Sequence, residues 1–327
     1  MTALPERRTR ARNASATAGR TAVLINAQSG TVRSIGVEAM RNILEGELTK
    51  WPQKPEFSII DGSEIDTAVK GLVTTGGVST IIAGGGDGTI ASIARHLTGT
   101  DIALGILPLG TMNLMAKSLD ISPDVSGALA ELGRANSRLI DVGRVEDQIF
   151  LHHLSLGIQP RMVRIREKLG YSTRLTKMLA GLRAMFSVVM NPQSLRLKAI
   201  IDGHTVELKS PALVISNNLY ADSTWMKHRS LEEGLLGIYA VKPMSWLAFV
   251  KLALDMFRGR WRDNLNVLED SAKHVIIEKR RRFGGKSRAI LCTLDGEVTL
   301  LSTPLEVRIN PLALKVLTPL VTGPDTP

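Results

Sequence analysis

From residue 21 onward the apolar positions fall into two alternating patterns, short runs and stripes that recur every three or four residues. The runs over 21–25 and 57–60 predict strands, while Ile65, Ala68, Val69, Leu72 and Val73 share one face of a predicted helix. Ser63 stands where a cap belongs and Gly76-Gly77 where the helix should stop. The unit repeats: a strand over 79–83, a helical face of Ile90, Ile93, Ala94 and Leu97, then a strand over 102–106. Met112, Met115, Ala116 and Leu119 form the next stripe, and Ser122-Pro123 reads as the cap and first position of a helix carrying Val125, Ala128, Leu129 and Leu132. Successive strand-helix units predict a parallel sheet covered on both faces.

Past residue 190 the period becomes two. Leu195, Leu197, Ala199 and Ile201 alternate with Arg196 and Lys198, and Asp202-Gly203 supplies a hairpin turn before Val206 and Leu208. Further strands are predicted over 211–216, 236–241, 273–278, 289–294 and 297–301, giving a mostly antiparallel second domain. Residues 160–190 read as helical. So do residues 244–257, whose Trp246, Phe249, Leu252, Leu254 and Phe257 suit core packing at least as well as contact with a membrane.

With 327 residues, two domains sharing a cleft is the natural expectation. A hydrophobic fraction of 44% and a charged fraction of 22% fit a globular protein. The 41 Lys and Arg against 31 Asp and Glu leave a formal charge of +10, which favours polyanions: nucleotides, anionic lipid or nucleic acid. Nucleic acid ranks low, since aromatic residues for base stacking are few. The single cysteine, Cys292, excludes an intramolecular disulfide, suits a reducing cytoplasm and is expected to pack. No apolar run reaches the ~18 residues that span a bilayer, and the N-terminus lacks the apolar segment of a secretory signal, so the chain is not expected to be exported. Residues 1–20, with five arginines, read as a solvated basic tail.

The chemistry centres on Gly84-Gly85-Gly86-Asp87-Gly88-Thr89, between a buried-looking strand and an amphipathic helix. Open α/β sheets bind phosphates at such places, because glycines let backbone amides approach the oxygens and the helix start adds a favourable dipole. A plain βα turn would not need so many glycines, each of which costs entropy on folding. A dinucleotide fingerprint is formally met by Gly86, Gly88 and Ala91, but the stretch 102–112 holds no acid for a ribose. Asp87 inside the loop would repel a pyrophosphate without a divalent cation, and magnesium-dependent phosphoryl transfer removes that conflict. Gly284-Gly285-Lys286-Ser287 fails as a P-loop, because Arg280 occupies the first required glycine position. Adjacent His152 and His153 are expected to point opposite ways on a strand and to pack rather than ligate.

Together these segments resemble the diacylglycerol kinase catalytic-domain family, with its sphingosine and ceramide kinase relatives. Asn26-Ala27-Gln28-Ser29-Gly30 resembles the family's Asn-Pro-x-Ser-Gly turn, and Pro108-Leu109-Gly110-Thr111-Met112-Asn113 its Pro-x-Gly-Thr-x-Asn segment. Residues 140–143 and 150–157 resemble its link into a second domain, and Leu294-Asp295-Gly296-Glu297 its late Asp-Gly-Glu motif. The resemblance implies an α/β nucleotide domain over 21–143, a β-sandwich over 144–311 that takes a lipid acceptor, and a segment 312–327 returning to the first domain. It assigns Asn26, Gly84, Gly85, Gly86, Gly88, Thr89, Gly110, Thr111, Asn113 and Glu297 to ATP, Asp87 to catalysis and to magnesium, and Asp295 to the general base. By the bare pattern alone, Asp295-Gly296 is an ordinary hairpin turn, and a rigid hairpin would hold a base well.

Two departures stand out. Leu114 replaces an acid of the family's metal and water network, which leaves Asp141 to serve, and the segment 230–235 resembles a structural metal loop with Glu233 in place of Asp, implicating Ser230, Glu233 and Leu235. The resemblance implies a cytoplasmic lipid kinase of phospholipid metabolism, peripherally attached to the inner face of the membrane, with a homodimer among its expected assemblies. The six cations within 279–288, Lys279 to Arg288, would rest on anionic headgroups, helped by the apolar helix near Trp246. A kinase of a soluble acceptor, like the NAD kinases, is the nearest rival; a silent nucleotide or lipid sensor, suggested by Leu114, is another.

Overall fold

The structure, a computed structural model, describes residues 19–168, 194–221, 227–280 and 289–320. Four short strands, β1 (Arg20–Asn26), β2 (Glu56–Ile60), β3 (Val78–Gly85) and β4 (Ala103–Pro108), lie parallel in the order β2-β1-β3-β4. They read as apolar runs because helices bury them: α1 (Gly30–Ile35), α2 (Val37–Leu48), α3 (Ile65–Thr75), α4 (Asp87–Leu97), α5 (Leu114–Ser118) and α6 (Val125–Leu132) contribute to one core. Met40, Leu44 and Leu48 of α2, and Ile90, Ile93, Ala94 and Leu97 of α4, are the buried stripes.

Helix starts differ from the sequence expectation. Ser63 does not cap α3: its amide and hydroxyl both go to Asp61 Oδ1, and Glu64 takes the cap position. Helix α6 starts two residues later than Ser122-Pro123 suggests, because Asp124 accepts from Gly127 N at 2.8 Å and outcompetes the serine. Met112 is exposed and lies outside the short α5, so it is not part of a buried stripe.

The second half contains β5 (Asn136–Val145), β6 (Gln148–Phe150), β7 (His153–Gly157), α7 (Ile158–Lys168), β8 (Leu195–Ile201), β9 (His204–Ser210), β10 (Ala212–Asn217), β11 (Leu236–Val241), α8 (Trp246–Phe257), β12 (Val267–Ala272), β13 (His274–Lys279), β14 (Ala289–Leu294), β15 (Glu297–Ser302) and β16 (Leu305–Thr318). An antiparallel sheet, β12-β11-β10-β7-β14-β15, faces the antiparallel strands β16-β13-β8-β9 across a core that includes Leu156, Ile215, Ile238 and Cys292 on one side and Leu197, Val275, Ile277 and Val307 on the other. Cys292 packs there, and burial pushes its thiol up to about 12. Val206 sits on the edge strand β9 and is exposed rather than packed.

Strand β16 belongs to both halves. Its first residues pair antiparallel with β13, its last part pairs parallel with β4 at Val316 and Leu104, and β5 runs antiparallel along most of it. The register shifts between Asn310 and Leu314, where Leu312 takes φ 51°. Among the described residues no helix is long and apolar enough to cross a membrane. The basic tail through residue 18, the helical reading over 169–190, positions 281–288 of the basic run and positions 321–327 of the C-terminal segment lie outside the described residues.

Candidate active site

Three loops leave the C-terminal ends of β1, β3 and β4 and lock together. Gly86 is the N-cap of α4, and a Cβ on Gly110 would lie 2.5 Å from its Cα, so the two turns pass backbone to backbone. Leu109 N donates to Gly85 O at 3.1 Å, and Thr31 N to Leu109 O at 3.0 Å. Asn113, at φ 49°, closes its turn by accepting from Gly110 N at 2.9 Å and donating to Gly110 O at 3.0 Å. Asn26 Nδ2 donates to Thr89 Oγ1 at 2.9 Å, while its Oδ1 accepts from Gln28 N. The amides of Gly88 and Thr89, in the first turn of α4, have no carbonyl four residues back within the helix and are suited to an anion. Gly84 has a different reason to be glycine: it is the penultimate residue of β3, and a side chain would run into Ile25 Cδ1.

Asp87 turns away from the loop it belongs to. Its Oδ1 accepts from Leu114 N at 2.7 Å, and burial pushes its pKa up against the lowering effect of the amides of residues 113–115. Leu114 thus meets Asp87 through its backbone, at the position where the resemblance leads to an acid.

Asp295 faces this assembly from the second domain. It starts the β14–β15 turn at φ 49°, with Gly296 at φ 91°, so the hairpin reading and the site reading hold together. Its Oδ2 accepts from Leu151 N at 2.7 Å, and its Oδ1 from His152 N at 2.8 Å and His153 N at 2.9 Å. Burial nevertheless lifts its pKa to about 6, opposed by those three amides and aided by the charge of Asp87. Glu297, two residues on at the start of β15, touches Gly88: a Cβ there would collide with its carboxylate.

Asn26, Gly88, Thr89, Asp295 and Glu297 all line one cleft of about 520 Å³ between the domains. Gly84, Gly85, Gly86, Asp87, Gly110 and Asn113 do not line it, and Thr111 is exposed on the turn beside Gly30. The far end holds residues the sequence reading missed: Asp66 of α3 accepts from Ser92 and lies 3.2 Å from His96 Nε2, with Arg95 beside them. Ser92 and His96 are four apart on one helix, a spacing that could have flagged them. The cleft's volume and its glycine-bounded wall fit a nucleotide. Among the described residues no three acidic, histidine or cysteine side chains are arranged around a metal; Asp66, Asp295 and Glu297 are the carboxylates that line the cleft.

His152 and His153 do not point opposite ways. Their Nδ1 atoms are 2.8 Å apart, with Tyr220 Oη within 3.4 Å of both and the His228 ring tilted against His152 at 4.6 Å. Alternation fails because His152 precedes β7, in the break after β6. Both rings are buried, as expected for packing residues, and their backbone carries the amides that hold Asp295.

Asp141 stands apart from the cleft lining. Its carboxylate accepts from Gly234 N at 2.7 Å and Leu312 N at 2.8 Å, and its own amide donates to Leu231 O, so it ties the 230–235 loop to the irregular turn of β16. It therefore does not stand in for the acid missing at Leu114. Glu233 pairs with Arg229 at 2.7 Å, and Ser230 Oγ accepts from Glu232 N. The loop that carries Ser230, Glu233 and Leu235 thus wraps Asp141, held there by backbone hydrogen bonds.

Comparison with known proteins agrees with this architecture. Residues 20–145 match the diacylglycerol kinase catalytic domain, and residues 154–318 match the YegS C-terminal NAD kinase beta sandwich-like domain. An uncharacterized protein of Synechocystis is 27% identical over 253 residues, 74% of this chain but only 55% of that relative. A Streptococcus pneumoniae protein named "Putative lipid kinase" is 27% identical over 239 residues, 71% of this chain and 79% of the relative. Among solved structures, a "putative diacylglycerol kinase" of Bacillus anthracis superposes with a TM-score of 0.72 at 18% identity, over 93% of this chain and 99% of that one.

Proposed function

Because the chain belongs to the diacylglycerol kinase catalytic-domain family, we propose that it moves the γ-phosphoryl group of ATP to a hydroxyl of diacylglycerol or a related lipid. One observation carries the reading: a buried, amide-held carboxylate, Asp295, shares a single cleft with Asn26, Gly88 and Thr89 at the start of α4. The amides of Gly88 and Thr89 hold phosphate oxygens, and the Asn26–Thr89 hydrogen bond fixes that turn. Asp295 takes the proton of the acceptor hydroxyl as its oxygen bonds to the γ-phosphorus and the bond to the β-phosphate oxygen breaks, releasing ADP. A proton affinity near 6 leaves Asp295 charged at neutral pH yet basic enough to accept. Magnesium, when bound, neutralises phosphate charge in such sites; Asp87, with Asp295 and Glu297, would be its protein neighbours.

The lipid part of the reading is supported by an apolar groove beneath α8, lined by Val214, Tyr239, Val241, Leu252, Met256 and Trp261. Tyr220 also lines it, and its hydroxyl meets the His152–His153 pair whose amides hold Asp295, so the groove is linked to the base through Tyr220 and the two histidines. The test is labelled ATP with magnesium and a panel of diacylglycerol, sphingoid and ceramide acceptors in mixed micelles, together with NAD. Label in a lipid product supports the reading. Label in NAD alone supports the soluble-acceptor alternative suggested by the NAD kinase-like sandwich, and nucleotide binding without any product refutes both.

A further inference from the structure

Helix α8 breaks the usual rule for a surface helix. Its inward side buries Leu252 against Tyr220, Tyr239 and Trp261. Its outward side should then be polar. Instead Trp246, Leu247, Val250 and Leu254 stand 49%, 62%, 42% and 48% exposed on it, and Leu265, just past the helix, is 87% exposed. Water gains nothing from such a face, and an apolar patch rimmed by charge marks a contact surface.

The rim indicates which contact. Between residues 242 and 265 the chain carries five cations, Lys242, Lys251, Arg258, Arg260 and Arg262, against two carboxylates, Asp255 and Asp263. Asp255 accepts from Asn264 Nδ2 at 2.7 Å, and Arg262 is engaged with Tyr220 O and Glu269, which leaves Lys242, Lys251, Arg258 and Arg260 exposed around the apolar face, opposed by exposed Asp263. Lys242 donates to Leu265 O at 2.9 Å, which holds that leucine's backbone at the same rim. Apolar residues with cations beside them suit the boundary between anionic headgroups and acyl chains, where both parts are satisfied at once. The groove assigned above to an acyl chain lies under this same helix.

We propose that the outward face of α8, with Leu265, is the membrane-docking surface of this protein, lying in the interface of an anionic bilayer. Its purpose rests on the lipid-kinase reading; its measurement does not. The full chain is sedimented with vesicles of phosphatidylcholine alone and of equimolar phosphatidylcholine and phosphatidylglycerol, wild type beside Leu247→Glu/Leu254→Glu and Lys251→Glu. Wild type should bind the anionic vesicles. The double variant should lose binding by on the order of tenfold or more, and Lys251→Glu should lose it severalfold on anionic vesicles only. Circular dichroism and turnover of a short-chain diacylglycerol in solution should stay unchanged in all three proteins. Equal binding by wild type and the double variant, or no binding by wild type, overturns the proposal. So does a wild-type dimer that the double variant converts to monomer without any effect on vesicles, which would assign the face to a second copy. Vesicle binding without turnover of any lipid would leave the docking face standing and refute the kinase reading instead.

Discussion

Replacing Asp295 by asparagine separates its proposed role as base from its observed role as clamp. In the native protein the carboxyl has a pKa of about 6 instead of 3.8, so burial disfavours its charged form by at most about 3 kcal/mol, less for the partial exposure the residue keeps. The sign follows from proton binding: the folded chain holds this proton more tightly than the unfolded chain, so stability falls as pH rises from about 4 to about 6 and is level above. Asparagine removes that cost at neutral pH. It also has one acceptor where Leu151, His152 and His153 present three donors, so its NH2 group must face at least one N–H, a loss of about 1–3 kcal/mol. The two terms nearly cancel, and thermal unfolding at pH 7.5 should shift by only a few degrees. Phosphoryl transfer should instead fall by about 100- to 10,000-fold, the usual contribution of a positioned base. Wild-type kcat/KM, followed with labelled ATP in mixed micelles, should rise tenfold per pH unit below about 6 and level off above it. A variant that keeps more than about a tenth of wild-type turnover, or a wild-type profile flat through that range, would refute Asp295 as the base.

Four further outcomes follow from the same geometry. Gly110→Ala forces a methyl against Gly86 Cα and should cost about 1–3 kcal/mol in urea unfolding while weakening nucleotide binding in calorimetry. Thr89→Val removes the acceptor of Asn26 Nδ2; stability should drop by about 1 kcal/mol, and the Kd for ATP should rise severalfold. Asp141→Ala strands the amides of Gly234 and Leu312 and should destabilise by about 2–5 kcal/mol, with nucleotide affinity unchanged in the fraction that remains folded. Burial depresses His153 to about 4 and His228 to about 3, so these rings stay neutral in the fold while the unfolded chain protonates near 6.5; stability should therefore fall as pH drops below about 6.5, and His228→Asn should flatten that decline in denaturant midpoints.

Much of this arrangement is legible in the chain itself, for identifiable reasons. The βα units announce themselves because buried parallel strands need unbroken apolar runs, as in β3 and β4. The Asp202-Gly203 and Asp295-Gly296 turns are legible because φ above zero restricts the residue choice. Strand β16 is hidden, since Pro311 interrupts its alternation at the place where the structure has a register shift. Strand β12 carries Glu269 and Asp270 on a sheet edge and offers no apolar run. In the site, residue types are visible but partners are not: nothing local to Asp295 indicates that amides more than 140 positions earlier receive its carboxylate. Nor does sequence reveal that Gly84 serves packing against Ile25 while Gly88 makes room for Glu297.

The separation of Gly88 and Asp295 follows from the sheets rather than from either loop. Gly88 takes its place from β3, which pairs with β4, and β4 pairs with the last residues of β16. The front of β16 pairs with β13 and joins the sandwich that carries Asp295. A slip of one residue along β16 would turn each of its side chains to the opposite face, exposing Val307 and Val316 and burying Arg308 and Lys315, so core burial in both domains fixes the register. The exception is the shift near Leu312, where ladder pairing lapses and Asp141 supplies the missing acceptor. That carboxylate also accepts from Gly234 N, and the amide of Asp141 donates to Leu231 O, so one residue joins β5, the 230–235 loop and the irregular turn of β16. An acid outside the cleft lining thus secures the stretch of β16 that hydrogen bonding within the sheet leaves loose.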